Sequence, residues 1–265
     1  MPTWSSQRYR FTGEKQGVSP NVLDAAVKIN ERIRRINPRL PTILTLRHLS
    51  ALTDVPFSYL NRLVSRTDSH YKRVLFRKRV PGRSRYREIH IPEHSLLELQ
   101  QWITYNILTN TIAHDASFAY HPHSQPILAA ARHCRCRWLL KVDIEDFFHR
   151  ISEGKVFSVF KTLGYPPLLS LELARITTMI SWADSTMVGL SANKWAAIPR
   201  YRGRPEGFLP QGAPSSPMLS NLVMKQFDER FATLATSHGF TYTRYADDLA
   251  FSTRAEHTLA TMQRF

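Results

Sequence analysis

Apolar residues in 20–36 recur at the helical period: Val22, Ala26, Ile29, Ile33 and Ile36. Ser19-Pro20 supplies a start signal and Pro38 a stop, so this stretch reads as an amphipathic helix. A second helical stretch runs from about Thr45 to Val64. Tyr71–Arg79 and Arg83–Ile91 then read as short strands, separated by the Pro81-Gly82 turn signal. Leu96, Leu99, Ile103 and Ile107 place a helix over 96–112. Trp138–Val142 is an apolar strand that runs into Asp143, with helices expected around 153–163 and 167–182.

Residues 183–208 show no period and read as a long excursion, the kind of loop that tends to be functional. Ser216-Pro217 opens a helix, with Ser216 as N-cap and Pro217 in its first turn. Its stripe is Leu219, Leu222, Val223, Phe227, Phe231 and Leu234, and Gly239 is its stop. A hairpin follows: Phe240–Tyr245, a turn at Ala246-Asp247-Asp248, then Leu249–Thr253. The expected class is α+β, with a small antiparallel sheet backed by the helices that begin at Leu96 and Ser216.

A chain of 265 residues with 43% hydrophobic and 22% charged residues has the composition of a folded protein with a real core. It has no apolar run of membrane-spanning length and no apolar N-terminal leader. Two cysteines, Cys134 and Cys136, are too few for a disulfide scaffold, so a reducing cytoplasm is the expected compartment. Charge changes the picture more. Residues 1–91 hold 19 of the 36 basic side chains and only 6 of the 21 acidic ones. Residues 71–87 alone carry eight basic residues and no acid. Such a field attracts polyanions, nucleic acid first among them, while a ribosomal protein or a membrane-surface binder shares the same charge.

The candidate chemistry is acidic. Asp143 ends one apolar strand and Asp247-Asp248 sit at a hairpin tip about a hundred residues later. If those strands are neighbours, three carboxylates converge at one sheet edge, a donor set suited to two Mg²⁺ ions. An Asp-Asp pair at a turn is also simply a good turn former. Context favours the metal reading. Val142-Asp143-Ile144-Glu145-Asp146-Phe147-Phe148 and Tyr245-Ala246-Asp247-Asp248 bracket Leu209-Pro210-Gln211-Gly212-Ala213-Pro214-Ser215-Ser216-Pro217.

In these three segments, in this order, the chain resembles a reverse transcriptase, and more narrowly the bacterial retron type. Ala213 stands where group II intron enzymes usually carry a second glycine. Tyr-Ala-Asp-Asp-Leu-Ala-Phe-Ser at 245–252 and the arginine-led strand before Trp102 are retron-like. The resemblance covers about residues 70–255. It implies a right-hand polymerase: an N-terminal basic helical region at 1–66, fingers at 67–136, and a palm at 137–265 with a fingers excursion at about 152–208. Family members continue into a thumb, so the chain is expected to stop short of one, at a cost to duplex binding and polymerisation.

By the same resemblance Asp143 and Asp247, with Asp248 and the Ile144 carbonyl, bind two Mg²⁺ ions, with Mn²⁺ as a substitute. Phe148 is the steric gate against ribonucleotides, or a core residue like Phe147. Gln211 faces the incoming nucleotide and Gly212 lets the backbone approach it. Arg87 grips its phosphates, with Lys78 as second contact unless Arg79 or Arg83 takes that place. Arg73, Arg77, Arg79 and Tyr245 are candidates for nucleic-acid contact, or the basic ones are merely solvated. His133-Cys134-Arg135-Cys136 lacks a fourth ligand and reads as structural. Tyr120, amid His114, His121 and His123, either stacks on a template base or packs.

The implied activity is RNA-directed DNA synthesis from dNTPs on an RNA template, giving a DNA product. As a retron enzyme it would copy a cognate non-coding RNA in phage defence, beside an effector protein and without a membrane. A group II intron-like or other defence-associated enzyme, or a catalytically silent RNA-binding module, are the competing readings.

Overall fold

The computed structural model describes residues 4–78, 85–122, 124–180 and 206–256. The Pro81-Gly82 turn and nearly all of the 183–208 excursion lie outside the described residues. So do Arg79, Arg83, His123 and the side chain of Lys78.

The N-terminal third is helical. α1 (Ser6–Lys15) precedes α2 (Pro20–Ile36), which starts behind an extended Ser19 with Pro20 in its first turn and ends two residues before Pro38. Its buried stripe is Leu23, Ala26, Val27, Asn30 and Ile33, while Val22 and Ile36 are exposed, so the face is rotated from the expected one. The stretch expected as one helix over 45–64 is two, α3 (Leu46–Thr53) and α4 (Phe57–Ser65). Asp54 takes a left-handed φ of 55° and Pro56 cannot extend a helix through its own amide, so the break falls between them.

β1 (Tyr71–Lys78) and β2 (Arg85–Pro92) form an antiparallel ribbon in which Phe76 opposes Arg87. α5 (His94–Asn106) follows and gives way to a 3₁₀ turn at Leu108–Asn110, shorter than the helix expected to 112. Next come α6 (Pro126–Arg132), β3 (Trp138–Asp143), α7 (Glu153–Thr162) and α8 (Pro167–Thr177). The last described elements are α9 (Ser216–Ser237), β4 (Thr241–Tyr245) and β5 (Asp248–Thr253). Ser216 is the first helical residue of α9 rather than its cap: Ser215 holds the cap position, in αR geometry and without a side-chain cap bond. Gly239, at φ 73°, ends α9. Its amide donates to Thr236 O and that of Phe240 to Ala235 O, a Schellman closure.

The antiparallel sheet has the order β3-β5-β4. Its apolar face, Tyr242, Leu249 and Phe251, packs on Phe227, Phe231 and Ala235 of α9. Leu234, expected inside, is exposed. The expected second backing helix, α5, instead buries Leu96, Leu99 and Ile103 in a larger core with α2–α4, α7 and α8. Ile144 packs against both cores and so ties the end of β3 to each. No described helix is long and apolar enough to cross a membrane.

Candidate active site

β3 and β5 pair in a register that sets Asp143 opposite Asp248, and Tyr245 of β4 opposes Asp248 from the other side. Asp247 occupies the β4–β5 turn. Its carbonyl accepts the Ile144 amide at 3.1 Å, which locks the turn to the residue after Asp143. Three carboxylates from two remote segments are thereby brought to one end of the sheet. Asp143 is exposed, and Asp247 and Asp248 are half-exposed. Lys141 Nζ approaches Asp248 at 3.7 Å, while Asp143 and Asp247 make no ion pair or side-chain hydrogen bond among the described residues. The side chains are not gathered into a formed metal cluster, since no group of three such ligands is found among the described residues. The donors nonetheless suit a hard divalent cation: carboxylate oxygens, free of competing cations at two of three positions.

The turn is held from below by charge. Arg244 and Asp228 are both fully buried and pair bidentately, at 2.8 Å through Nε and 2.7 Å through Nη2. Tyr242 donates to the same carboxylate at 2.8 Å, and Arg244 Nη1 donates to Ala246 O at 3.0 Å. Ala246 sits at φ 58°, in the left-handed region, so this bond holds a strained residue just before Asp247. The buried charge, the hydroxyl and the α9 backbone together fix where Asp247 emerges. Sequence reading missed this pair. Its signal is an acid one position beyond Phe227 on an apolar helix face.

The ribbon reaches the same region. The His90 amide donates to Gln211 O at 2.7 Å, joining β2 to the turn before α9. Gly212, at φ 116°, abuts β2: a Cβ there would fall 2.7 Å from Ile89 Cγ2 and 3.0 Å from His90 O. The close approach visible at this glycine is therefore to β2. Gln211 is half-exposed and Arg87 exposed. The His90 ring is buried against His149 and Phe208, with Nε2 at 2.9 Å from Glu88 and Nδ1 unpartnered. Burial lowers its pKa, against the charge of Glu88.

The segment entering this turn is anchored by a second buried network. Glu153 binds Arg66 at 2.5 Å and Arg175 at 3.2 Å, and its amide donates to Gly207 O at 2.6 Å. Gly207 has no room for a side chain, because a Cβ would stand 2.4 Å from the Arg66 guanidinium.

Phe147 is buried and Phe148 half-buried, with ring centroids 5.3 Å apart. Tyr120 tilts toward Phe148 at 6.2 Å. Its hydroxyl pKa is raised by burial, then by the charges of Asp247 and Tyr245, and is opposed by Arg87. Tyr120 therefore stands near the acidic turn, Phe148 and Arg87. Arg244 fixes its segment, accepting from the Phe118 amide at 2.8 Å and donating its own to Ala116 O at 2.7 Å.

A family model described as reverse transcriptase (RNA-dependent DNA polymerase) matches residues 76–264. The chain belongs to the reverse transcriptase family. Among its relatives, the retron Ec86 reverse transcriptase of Escherichia coli is 32% identical over 84% of this chain and 61% of its own length. The Escherichia coli retron Ec83 enzyme is 34% identical over 74% of this chain and 57% of its own. The Myxococcus xanthus retron Mx65 enzyme is 32% identical over 69% and 40%. The chain thus spans about two fifths to three fifths of the length of these relatives. A solved telomerase from Candida albicans overlaps with a TM-score of 0.44 at 14% identity, over 73% of this chain and 39% of that one.

The remaining candidates lie on the ribbon and along the three-stranded sheet. Arg73 is held bidentately by Glu88 at 2.7 and 2.8 Å, whereas Arg77 is exposed on β1 with no partner among the described residues. Tyr245 is 40% exposed at the sheet end beside Asp248. His133 bonds the hydroxyls of Ser252 and Thr243 at 2.6 and 2.7 Å, a structural bridge across β5 and β4, and both cysteines are free thiols.

Proposed function

We propose that this protein is an RNA-directed DNA polymerase of the retron type, adding deoxynucleotides to a primer hydroxyl on an RNA template. The reading rests first on the strand register that pairs Asp143 with Asp248 and sets Asp247 beside them. Those carboxylates, with the Ile144 carbonyl, are assigned to two Mg²⁺ ions, or Mn²⁺ in their place. Bound there, the ions would supply Lewis-acid activation of the attacking hydroxyl and neutralise the leaving pyrophosphate.

The remaining roles belong to the chain itself. Arg87, presented by β2, grips the nucleotide's phosphates with a planar fork, and Lys78 adds a second charge. The bond from His90 to Gln211 keeps that strand in register with the turn under the nucleotide. Phe148, steadied by Phe147 and Tyr120, forms the wall against which a ribose 2′-hydroxyl collides. Residues 1–66 act as a basic helical region, 67–136 as fingers and 137–265 as palm, with the 152–208 excursion returning to the fingers. Retron kinship extends the proposal to a cognate structured RNA as template, and to phage defence with an effector protein in the cytoplasm.

The test is dNTP incorporation on an RNA template with a DNA primer and Mg²⁺. Asp247→Asn should lower it by orders of magnitude while the protein keeps its melting temperature. A rate unchanged by that substitution overturns the assignment.

A further inference from the structure

A sizeable cavity lies away from the three-stranded sheet, in the N-terminal region. It encloses about 760 Å³ between α1, the end of α2, α3 and the C-terminal half of α5, a size typical of ligand clefts. It shares no residue with β1, β2, the Gln211 turn or the carboxylates.

Its lining has a distinctive chemistry. Arg8, Arg34 and Arg39 contribute three guanidinium groups, and no Asp or Glu lines the cavity. None of the three makes an ion pair among the described residues, although nearby Arg10 pairs with Asp24 at 2.7 Å. Three uncompensated cations in one concavity repel one another unless an anion joins them. Aromatic rings are interleaved with them. Trp4 and Tyr9 stack at 4.6 Å, and Tyr105, which also lines the cavity, is 76% exposed. The rest of the wall offers Ser, Thr, Asn and His hydrogen-bonding groups.

Cations that follow a phosphate backbone, combined with rings on which bases stack, are the means by which proteins hold single-stranded nucleic acid. An acidic peptide would use the arginines but leave the rings idle. Residues 1–66 hold 11 basic against 4 acidic side chains, so the positive charge of this region is not confined to the cavity. We propose that this cavity is a second RNA site, taking a single-stranded segment with its phosphates on Arg34 and Arg39 and a base against the Trp4–Tyr9 stack. It rests on the polymerase reading only in supplying RNA as the polyanion, and would hold template or cognate RNA outside the catalytic groove.

The test uses the whole chain and a fluorescent 12-nucleotide oligouridylate carrying 4-thiouridine. Cross-links should map to Trp4, Tyr9 or Tyr105. Arg34→Ala with Arg39→Ala should lower the log–log salt slope of affinity by about 1.4, at roughly 0.7 per single-strand phosphate contact. Arg34→Lys with Arg39→Lys should restore it, which a folding defect would not allow. Trp4→Ala should weaken binding roughly tenfold, as expected for one lost stacking platform. Cross-links confined to the catalytic groove, with slopes unchanged, overturn the proposal. So does a site that UMP fills as tightly as the oligonucleotide, or that polyglutamate competes for equally with Trp4→Ala silent. Loss of dNTP incorporation in Asp247→Asn is read separately, so either proposal can fail without the other.

Discussion

Arg244 spans two structural tasks at once, binding the buried Asp228 carboxylate through two nitrogens and the carbonyl of Ala246 through a third. The Ala246-Asp247 turn therefore depends on an ion pair that no solvent reaches. Removing one partner leaves the other charge buried and alone, which costs more than the pair contributes. Asp228→Asn should destabilise the protein by about 3–5 kcal/mol, read as a lower urea midpoint. Asp228→Leu combined with Arg244→Met should lose clearly less, because no charge is stranded. If the double variant unfolds as readily as the single one, the pair's geometry rather than its charge dominates.

Gly212 and Gly207 differ in what a methyl group would strike. At Gly212 the obstacle is the β2 backbone and the φ is positive, so Gly212→Ala is strained twice. The expected result is a shifted β2 and a raised dNTP KM with a modest loss of stability. At Gly207 the obstacle is Arg66 inside the Glu153 network, and Gly207→Ala should cost about 1–3 kcal/mol as overpacking. Thermal melts and nucleotide titrations of the two variants separate these outcomes.

Histidine burial sets a lower pH limit. His48, His90 and His133 all have pKa values lowered by burial, so the folded protein binds fewer protons than the unfolded chain near the ordinary histidine value of 6.5. Stability is then fully present above that value and lost as pH falls through it toward the folded pKa values. His133 faces two hydroxyls and no carboxylate among its bonded partners, so nothing there compensates a proton. Urea midpoints should drop between pH 7.5 and 5.5, and His133→Gln should flatten part of that drop. A midpoint independent of pH over this range contradicts it.

The carboxylates, the ribbon and the helix after Pro217 were legible in the sequence because each combines a local period with a distinctive run of residues. Less legible were features that depend on tertiary contact. The break that splits one expected helix in two falls at a left-handed Asp54 and at Pro56, a stop signal the apolar period overran. α5 matched its apolar stripe yet faced the large core rather than the sheet, since a stripe says what is buried but not against what. The pairing of Arg244 with Asp228 was missed for the same reason: sixteen residues apart, they meet only when β4 folds back on α9.

Phe148→Ala should admit ribonucleotides, since its ring is half-buried and backed by Phe147 and Tyr120 rather than sealed in the core. Tyr120→Phe should leave discrimination intact, because the wall needs the ring and not the hydroxyl. Incorporation assays with matched dNTPs and rNTPs measure both. A Phe148→Ala protein that still excludes rNTPs moves the gate elsewhere.

Arg87 and Arg77 lie on the same ribbon and should answer to different assays. Arg87 is near enough to Tyr120 to oppose the rise in its hydroxyl pKa and sits on the strand tied to Gln211, whereas Arg77 stands on β1. Arg73 already shares its charge with Glu88 through two hydrogen bonds, so neutralising it removes little that RNA can use. Arg87→Ala should raise the dNTP KM and leave the salt slope of RNA affinity unchanged, because a contact to one triphosphate releases no template counterions. Arg77→Ala should lower that slope by about 0.7–0.9 and spare the KM, with Arg73→Ala adding less than a full contact. RNA affinity across a salt series, beside nucleotide titrations, separates the two arginines. Should Arg87→Ala flatten the salt slope and spare the KM, the assignment of β2 to the nucleotide falls.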